Sequence, residues 1–193
     1  MKFLKYLAVG LAALLLLFVA IGLIQPSIHY STSVAVDKPL DESFAVFMDD
    51  SKMHQWVLGL TSIKRVKGAQ NEVGSVYEMV MERDGEIMYM TETLTGLKTN
   101  EHFGMQLEND VLTSQMDVYF KPLGEEKTSI EAHNEVRGSN VLYRSMFVLM
   151  QSYFQEEDAK TYELLKGAIE KNTTDYFPEQ AEIQLDSSQT AVQ

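Results

Sequence analysis

The spacing of apolar residues changes period three times along the chain, and each change predicts a different kind of element. Leu7 to Ile24 (LAVGLAALLLLFVAIGLI) is 18 residues with no charge and no strongly polar side chain. At about 1.5 Å per residue this makes a helix of roughly 27 Å, close to the ~30 Å hydrocarbon core of a bilayer. Twelve of these residues are Leu, Ile, Val or Phe, and Pro26 stops the run. A cleaved signal peptide has an apolar core of about 7–15 residues ahead of a small-x-small site. Ala20-Ile21-Gly22 has the small residues, but the apolar run continues to Ile24, so residues 1–26 are expected to stay as a transmembrane anchor. Lys2 and Lys5 precede the run, and no basic residue follows before Lys38. The positive-inside rule then puts the N-terminus in the cytoplasm and the rest outside, in the periplasm of a Gram-negative host.

After Pro26 the pattern is mixed. Ile28 to Val36 (IHYSTSVAV) is β-branched and reads as a strand. Asp41 to Met48 puts Phe44, Phe47 and Met48 on one helical face, with Asp41 as a candidate N-cap. A second short helix is predicted over Ser51 to Val57, with Met53, Trp56 and Val57 apolar. The period then becomes two. Leu60 to Val66, Ser75 to Arg83, Glu86 to Leu97, the stretch around Phe103, Met105 and Leu107, Leu112 to Phe120, and Ser129 to Val136 all read as strands. Asp84-Gly85 is a two-residue hairpin signal, and the other connections are short. Consecutive strands on short turns predict an antiparallel meander with one apolar face. From Val141 to Lys171 the period is helical again, which predicts one helix of roughly 46 Å across the sheet. Residues 27–172 are thus one α+β domain able to fold alone. Residues 173–193 lack periodicity and basic residues and read as a disordered acidic tail.

Composition narrows the function. The net charge of −12 excludes a nucleic-acid binder, which needs a basic surface against the phosphate backbone. With no Cys there are no disulfides, thiolate metal sites or thiol chemistry. Without the two anchor lysines, 14 basic residues face 28 acidic ones. A surface of that charge is repelled by anionic headgroups, which predicts a body held off the membrane.

The element order comes with specific residues: a first strand running into VAVDKPLDESFAVFMDD, the Asp49-Asp50 turn, Trp56, and NEVGSVYEM opening the third strand. Over roughly residues 28–172 this resembles the SRPBCC (START-like) superfamily, in particular its polyketide cyclase/dehydrase and lipid-transport group. The resemblance implies the helix-grip fold, a curved antiparallel sheet wrapped around a long C-terminal helix with a hydrophobic cavity between them. Val57-Leu58 follow the tryptophan where the family commonly has a proline.

The candidate chemistry is sparse. No dinucleotide, P-loop, hydrolase-elbow or zincin motif is present, and no cofactor is implied. Glu131 and His133 share a strand face, but the better core face of that strand is Ile130, Ala132 and Val136, so no metal site is expected. His54 reads as a surface residue. Asn172-Thr173-Thr174 is a glycosylation sequon by pattern. Glu92 faces inward if Met88, Met90 and Leu94 do, and outward if Ile87 and Tyr89 do. Facing inward, it would have a raised pKa and serve as an acid or base. The expected cavity residues are Tyr77, Met79, Met81, Met90, Phe103, Met105, Met116, Val118, Met146 and Met150. Their many methionines suit an adaptable pocket. The expected partner is a lipid or other hydrophobic small molecule, bound without catalysis. The alternatives are a cyclase/dehydrase-like enzyme using Glu92 and a protein-interaction domain with a filled core.

Overall fold

The computed structural model describes residues 2–83 and 85–178. The apolar N-terminal run forms one helix, α1 (Lys2–Ile24), long and apolar enough to cross a membrane. Strand β1 (Ser27–Val36) follows, then helix α2 (Leu40–Phe47) and a single 3-10 helix, Asp50–Gln55. Pro39 precedes α2, and its fixed φ of −55° starts the helix with no side-chain cap. Asp41 lies inside the first turn instead of capping it. Asp49 does cap the 3-10 helix, its carboxylate accepting from the Ser51 N–H at 3.0 Å.

The meander is β2 (Leu60–Lys67), β3 (Val76–Arg83), β4 (Glu86–Lys98), β5 (His102–Glu108), β6 (Leu112–Gly124) and β7 (Lys127–Gly138). These pair antiparallel in the order β1-β7-β6-β5-β4-β3-β2, so the first strand closes on the last. The sheet bends where β4 and β5 meet. A register shift falls between Leu94 and Gly96, and a Cβ on Gly96 would come within 2.7 Å of the His102 ring. A bulge with glycine at the tight approach is what coils a sheet.

The predicted single C-terminal helix is two: α3 (Val141–Leu149) and α4 (Gln151–Glu170), broken at Met150. The pieces serve different neighbours. α3 packs on α1, with smaller contacts to β7 and β1, whereas α4 packs on β1, α2 and the 3-10 helix. One straight helix cannot meet both sets. The main core lies between the concave sheet face and α2 and α4, with Val36, Val46, Val118, Ile130, Leu165 and Ile169 fully buried. Phe44, Phe47 and Phe120 interlock there in edge-to-face contacts of 5.1–5.2 Å.

The described chain also continues past the expected domain end. Asn172 is buried and bonded to the Lys52 ammonium, to Glu42 at 2.9 Å and to the Thr174 carbonyl at 3.0 Å. The Tyr176 hydroxyl donates to Asp49 at 2.8 Å, and its ring carries the Lys52 ammonium at 5.0 Å. Residues 173–178 therefore form a strap over the 3-10 helix, because Tyr176 brings an apolar ring and a hydroxyl to a matching site. The remainder of the predicted tail lies outside the described residues. The sequon asparagine is itself buried, so its amide is not presented for modification.

Candidate functional site

The hairpin between β3 and β4 decides the site. Arg83 pairs with Glu86, and from there Met81 faces Met88, Met79 faces Met90 and Tyr77 faces Glu92. Cross-strand partners share a face, so Glu92 points inward with Tyr77 and Met79. Ile87 and Tyr89 point outward and are exposed. Glu92 is 5% exposed.

Above it sits the 3-10 helix. Trp56, at its C-terminal end, stacks on Phe47 at 5.3 Å, and Phe47 in turn meets Phe103 edge-on at 5.1 Å. Together with Met48, Met53, Ile63, Tyr77, Leu94 and Met105 these enclose a mainly apolar cavity of about 40 Å³, with Asp50 and Asn71 at its edge. That is space for about three water molecules. A drug-sized ligand needs about 300 Å³ or more, so admitting one requires the lining to move.

Two polar atoms of the cavity lining have no hydrogen-bond partner among the described residues: Glu92 Oε2 and Trp56 Nε1. Buried polar groups are normally paired, and an unpaired one costs about 1–3 kcal/mol. Burial pushes the Glu92 carboxyl up to about 7, with the negative charge of Asp50 adding to the shift. Burial also raises Asp50, helped by Asp49 and opposed by Arg65. The site thus offers a carboxyl poised between its two forms at neutral pH, a second carboxyl at the rim and an indole N–H donor. That set can hydrogen-bond an oxygen on a ligand and move a proton to or from it.

Of the ten residues expected to line the cavity, Tyr77, Phe103 and Met105 do so. Met79, Met81 and Met90 continue the same face towards the hairpin, with Met79 buried and the other two half-buried. Met116 and Val118 are buried under α4, where the Tyr162 hydroxyl donates to the Met116 sulfur at 3.7 Å. Beside them Asn134 donates to Asp158 at 3.2 Å, and burial raises that carboxyl too. Side chains of α4 thus occupy the space where the faces alone suggested a cavity. Met146 packs with Phe147 and Ile28 at the other end, and Met150 is exposed at the α3–α4 corner. Trp56, Asp50 and Leu94 are named in the sequence as fold markers but not as cavity residues, and the structure adds them to the lining. The Asp84-Gly85 turn was the available signal for Leu94 and Glu92, since it fixes the register and with it their face. The Asp49-Asp50 turn marks Asp50 as a turn residue, and the 3-10 helix that it starts brings it to the site. Glu131 and His133 lie 3.2 Å apart on the outer face, both partly exposed. No three metal-ligating side chains converge among the described residues, and His54 is exposed.

No protein-family model and no curated protein matches the sequence. Solved structures match the fold. The ZhuI aromatase/cyclase from Streptomyces sp. R1128 superposes with a TM-score of 0.64 at 13% identity, over 77% of this chain and 96% of that one. A conserved protein from Geobacillus kaustophilus gives 0.63 at 12% identity, over 75% and 96%. The protein Ara h 8.0201 gives 0.59 at 12% identity, over 76% and 99%. The shared architecture is of the helix-grip kind, a curved antiparallel sheet with long C-terminal helices. At these identities the likeness is one of architecture, and residue roles rest on the geometry of this chain.

Proposed function

We propose that this helix-grip domain takes a hydrophobic small molecule into the cavity beneath the 3-10 helix and does acid–base chemistry on it through Glu92, in the manner of a cyclase or dehydratase. The observation that carries the reading is the buried, unpartnered carboxyl of Glu92, poised near neutrality in an apolar pocket beside an unpartnered indole N–H. As a carboxylate it takes a proton from the carbon next to a carbonyl. As a carboxylic acid it returns that proton to a leaving hydroxyl, so that water departs and a conjugated carbonyl remains. Trp56 Nε1 and the rim carboxyl of Asp50 position the polar end. The fold likeness to an aromatase/cyclase supports this choice, and so does the inward face of Glu92. We further propose that α1 anchors the domain in a membrane, with the N-terminus cytoplasmic. Its length and the lysines ahead of it support this.

The apolar lining favours a second reading, binding without chemistry. One experiment separates them. The full chain in mild detergent is titrated with a fluorescent fatty acid and assayed with a β-hydroxyacyl thioester for the absorbance of the conjugated product. Expected is probe binding in wild type, retained in Glu92→Gln and lost in Met105→Trp, with product formed by wild type and not by Glu92→Gln. Binding that survives Met105→Trp overturns the site. Binding with no product in wild type replaces the enzyme by the binding reading.

A further inference from the structure

The last turns of α1 do not stand free. Phe18 to Ile21 are half-buried and Gly22 is buried, and the element they meet is α3. The contact is close. The Gly22 N–H donates to Ser145 Oγ at 3.1 Å, and a Cβ on Gly22 would fall 2.5 Å from both that oxygen and the Val141 carbonyl. A small residue facing a small residue is how helices approach inside a membrane.

This contact sets a depth. On its N-terminal side the apolar run outside the contact is Leu7 to Leu17. That is 11 residues, or roughly 17 Å of helix. A bilayer needs about 20 residues and roughly 30 Å. The turns that touch α3 must therefore lie in the membrane if α1 spans it at all, and Leu23 and Ile24, exposed and apolar, lie beyond them. What is packed against those turns lies at the same depth.

The composition of α3 matches that depth. From Val136 to Gln155 there is no acidic residue in a chain that carries 28, while Arg137 and Arg144 are present. Leu142 is 52% exposed and Leu149 63%, and Met150 and Tyr153 extend the patch around the corner into α4. Apolar residues flanked by Tyr and Arg suit a helix lying in the headgroup layer. The first acidic residues beyond, Glu156 and Glu157, lie further along α4. Glu157 is held by Arg83 and Lys160.

We propose that α3 and the α3–α4 corner lie in the outer interfacial layer of the bilayer that α1 spans, so that the domain is docked on the membrane with its acidic surface turned away. The proposal rests on the reading of α1 as a spanning helix. The net charge alone predicts a body held off the surface; the absence of acidic residues along α3 weakens that repulsion there, with exposed Asp110 alongside, next to the Val111 carbonyl that accepts from the Ser139 N–H.

The cysteine-free chain allows a clean test. Single-cysteine variants of the full chain are labelled with an environment-sensitive fluorophore at Leu17, Leu142, Leu149 and Leu123. They are reconstituted in phosphatidylcholine vesicles with and without nitroxide-labelled lipid. Leu123 sits at the end of β6, near the β6–β7 turn, and is exposed. Expected at Leu17, Leu142 and Leu149 is blue-shifted emission, lost on adding nitroxide lipid, with Leu123 unchanged. Quenching at Leu17 without quenching at Leu142 and Leu149 overturns the docking and leaves the anchor standing. No quenching at Leu17 overturns the anchor, and the docking with it. Quenching at Leu123 as well overturns the proposed orientation.

Discussion

Glu92 is the residue at which folding and function pull in opposite directions. Its folded-state carboxyl titrates near 7, against an ordinary value of 4.5. The native state therefore holds its proton more tightly than the unfolded chain does. The stabilising effect of that proton is complete below about pH 4.5 and is lost as the pH rises through 7. Over that window the loss is roughly 3 kcal/mol, at about 1.4 kcal/mol per pH unit. Glu92→Gln keeps the shape and cannot ionise. The variant is expected to be more stable than wild type at pH 8, by a few kcal/mol at most, and to match it near pH 4.5. Urea unfolding at the two pH values checks this, and a difference independent of pH would place the carboxyl in water. The same carboxyl gives any turnover a pH dependence centred near 7.

At the scale of elements, the 3-10 helix is held between two attachments. On one side Trp56 and Met53 pack on the core. On the other, Asn172 and the strap of residues 173–178 pin it through Lys52, Tyr176 and Asp49. This helix supplies Asp50 and Met53 to the lining of the Glu92 cavity, so the strap is expected to restrain its opening. Removing the Tyr176 hydroxyl deletes one hydrogen bond to a carboxylate, a loss of about 1.5–3 kcal/mol when fully felt and less at this partly exposed site. Tyr176→Phe is expected to lower the melting temperature slightly and to speed probe entry measured by stopped-flow fluorescence. Truncation after Asn172 is expected to do both more strongly. An unchanged melting temperature and entry rate in the truncated chain would show that the strap does not hold the roof.

For the whole molecule, the arrangement of charge and apolar length predicts a direction. On the proposed topology Lys2 and Lys5 lie on the cytoplasmic side and the sheet outside. Alkaline phosphatase fused after Gln193 is expected to be active, and a fluorescent protein that matures only in the cytoplasm is expected to be dark there. The reverse pattern overturns the orientation. Glu92, in the pocket, lies six residues along β4 from its start at Glu86. The inner methionines of β3 and β4 then run from that pocket back towards the hairpin, whose Arg83 lies 5.9 Å from the ring of Tyr153 beside the corner.

The sequence by itself determined whatever depends on neighbours in the chain. Alternating Tyr77, Met79 and Met81 make one strand face apolar, the Asp84-Gly85 pair signals a hairpin between β3 and β4, and Pro26 ends the apolar run, all through local geometry. The meander and the helix-grip order follow, since short turns leave antiparallel pairing as the only reach. The face of Glu92 was also present, in the register that the turn imposes. The tertiary structure alone decided what depends on contacts between distant residues. Met150 breaks the final helix because Gly22 draws α3 towards α1 while β1 and α2 hold α4. Tyr162 fills the space over Met116, so the cavity forms under Trp56 instead. Tyr176 docks because Asp49, 127 residues earlier, is waiting with a free acceptor. Hydrophobic period says which face of an element is buried, but not against what, because burial is indifferent to the partner that excludes the water.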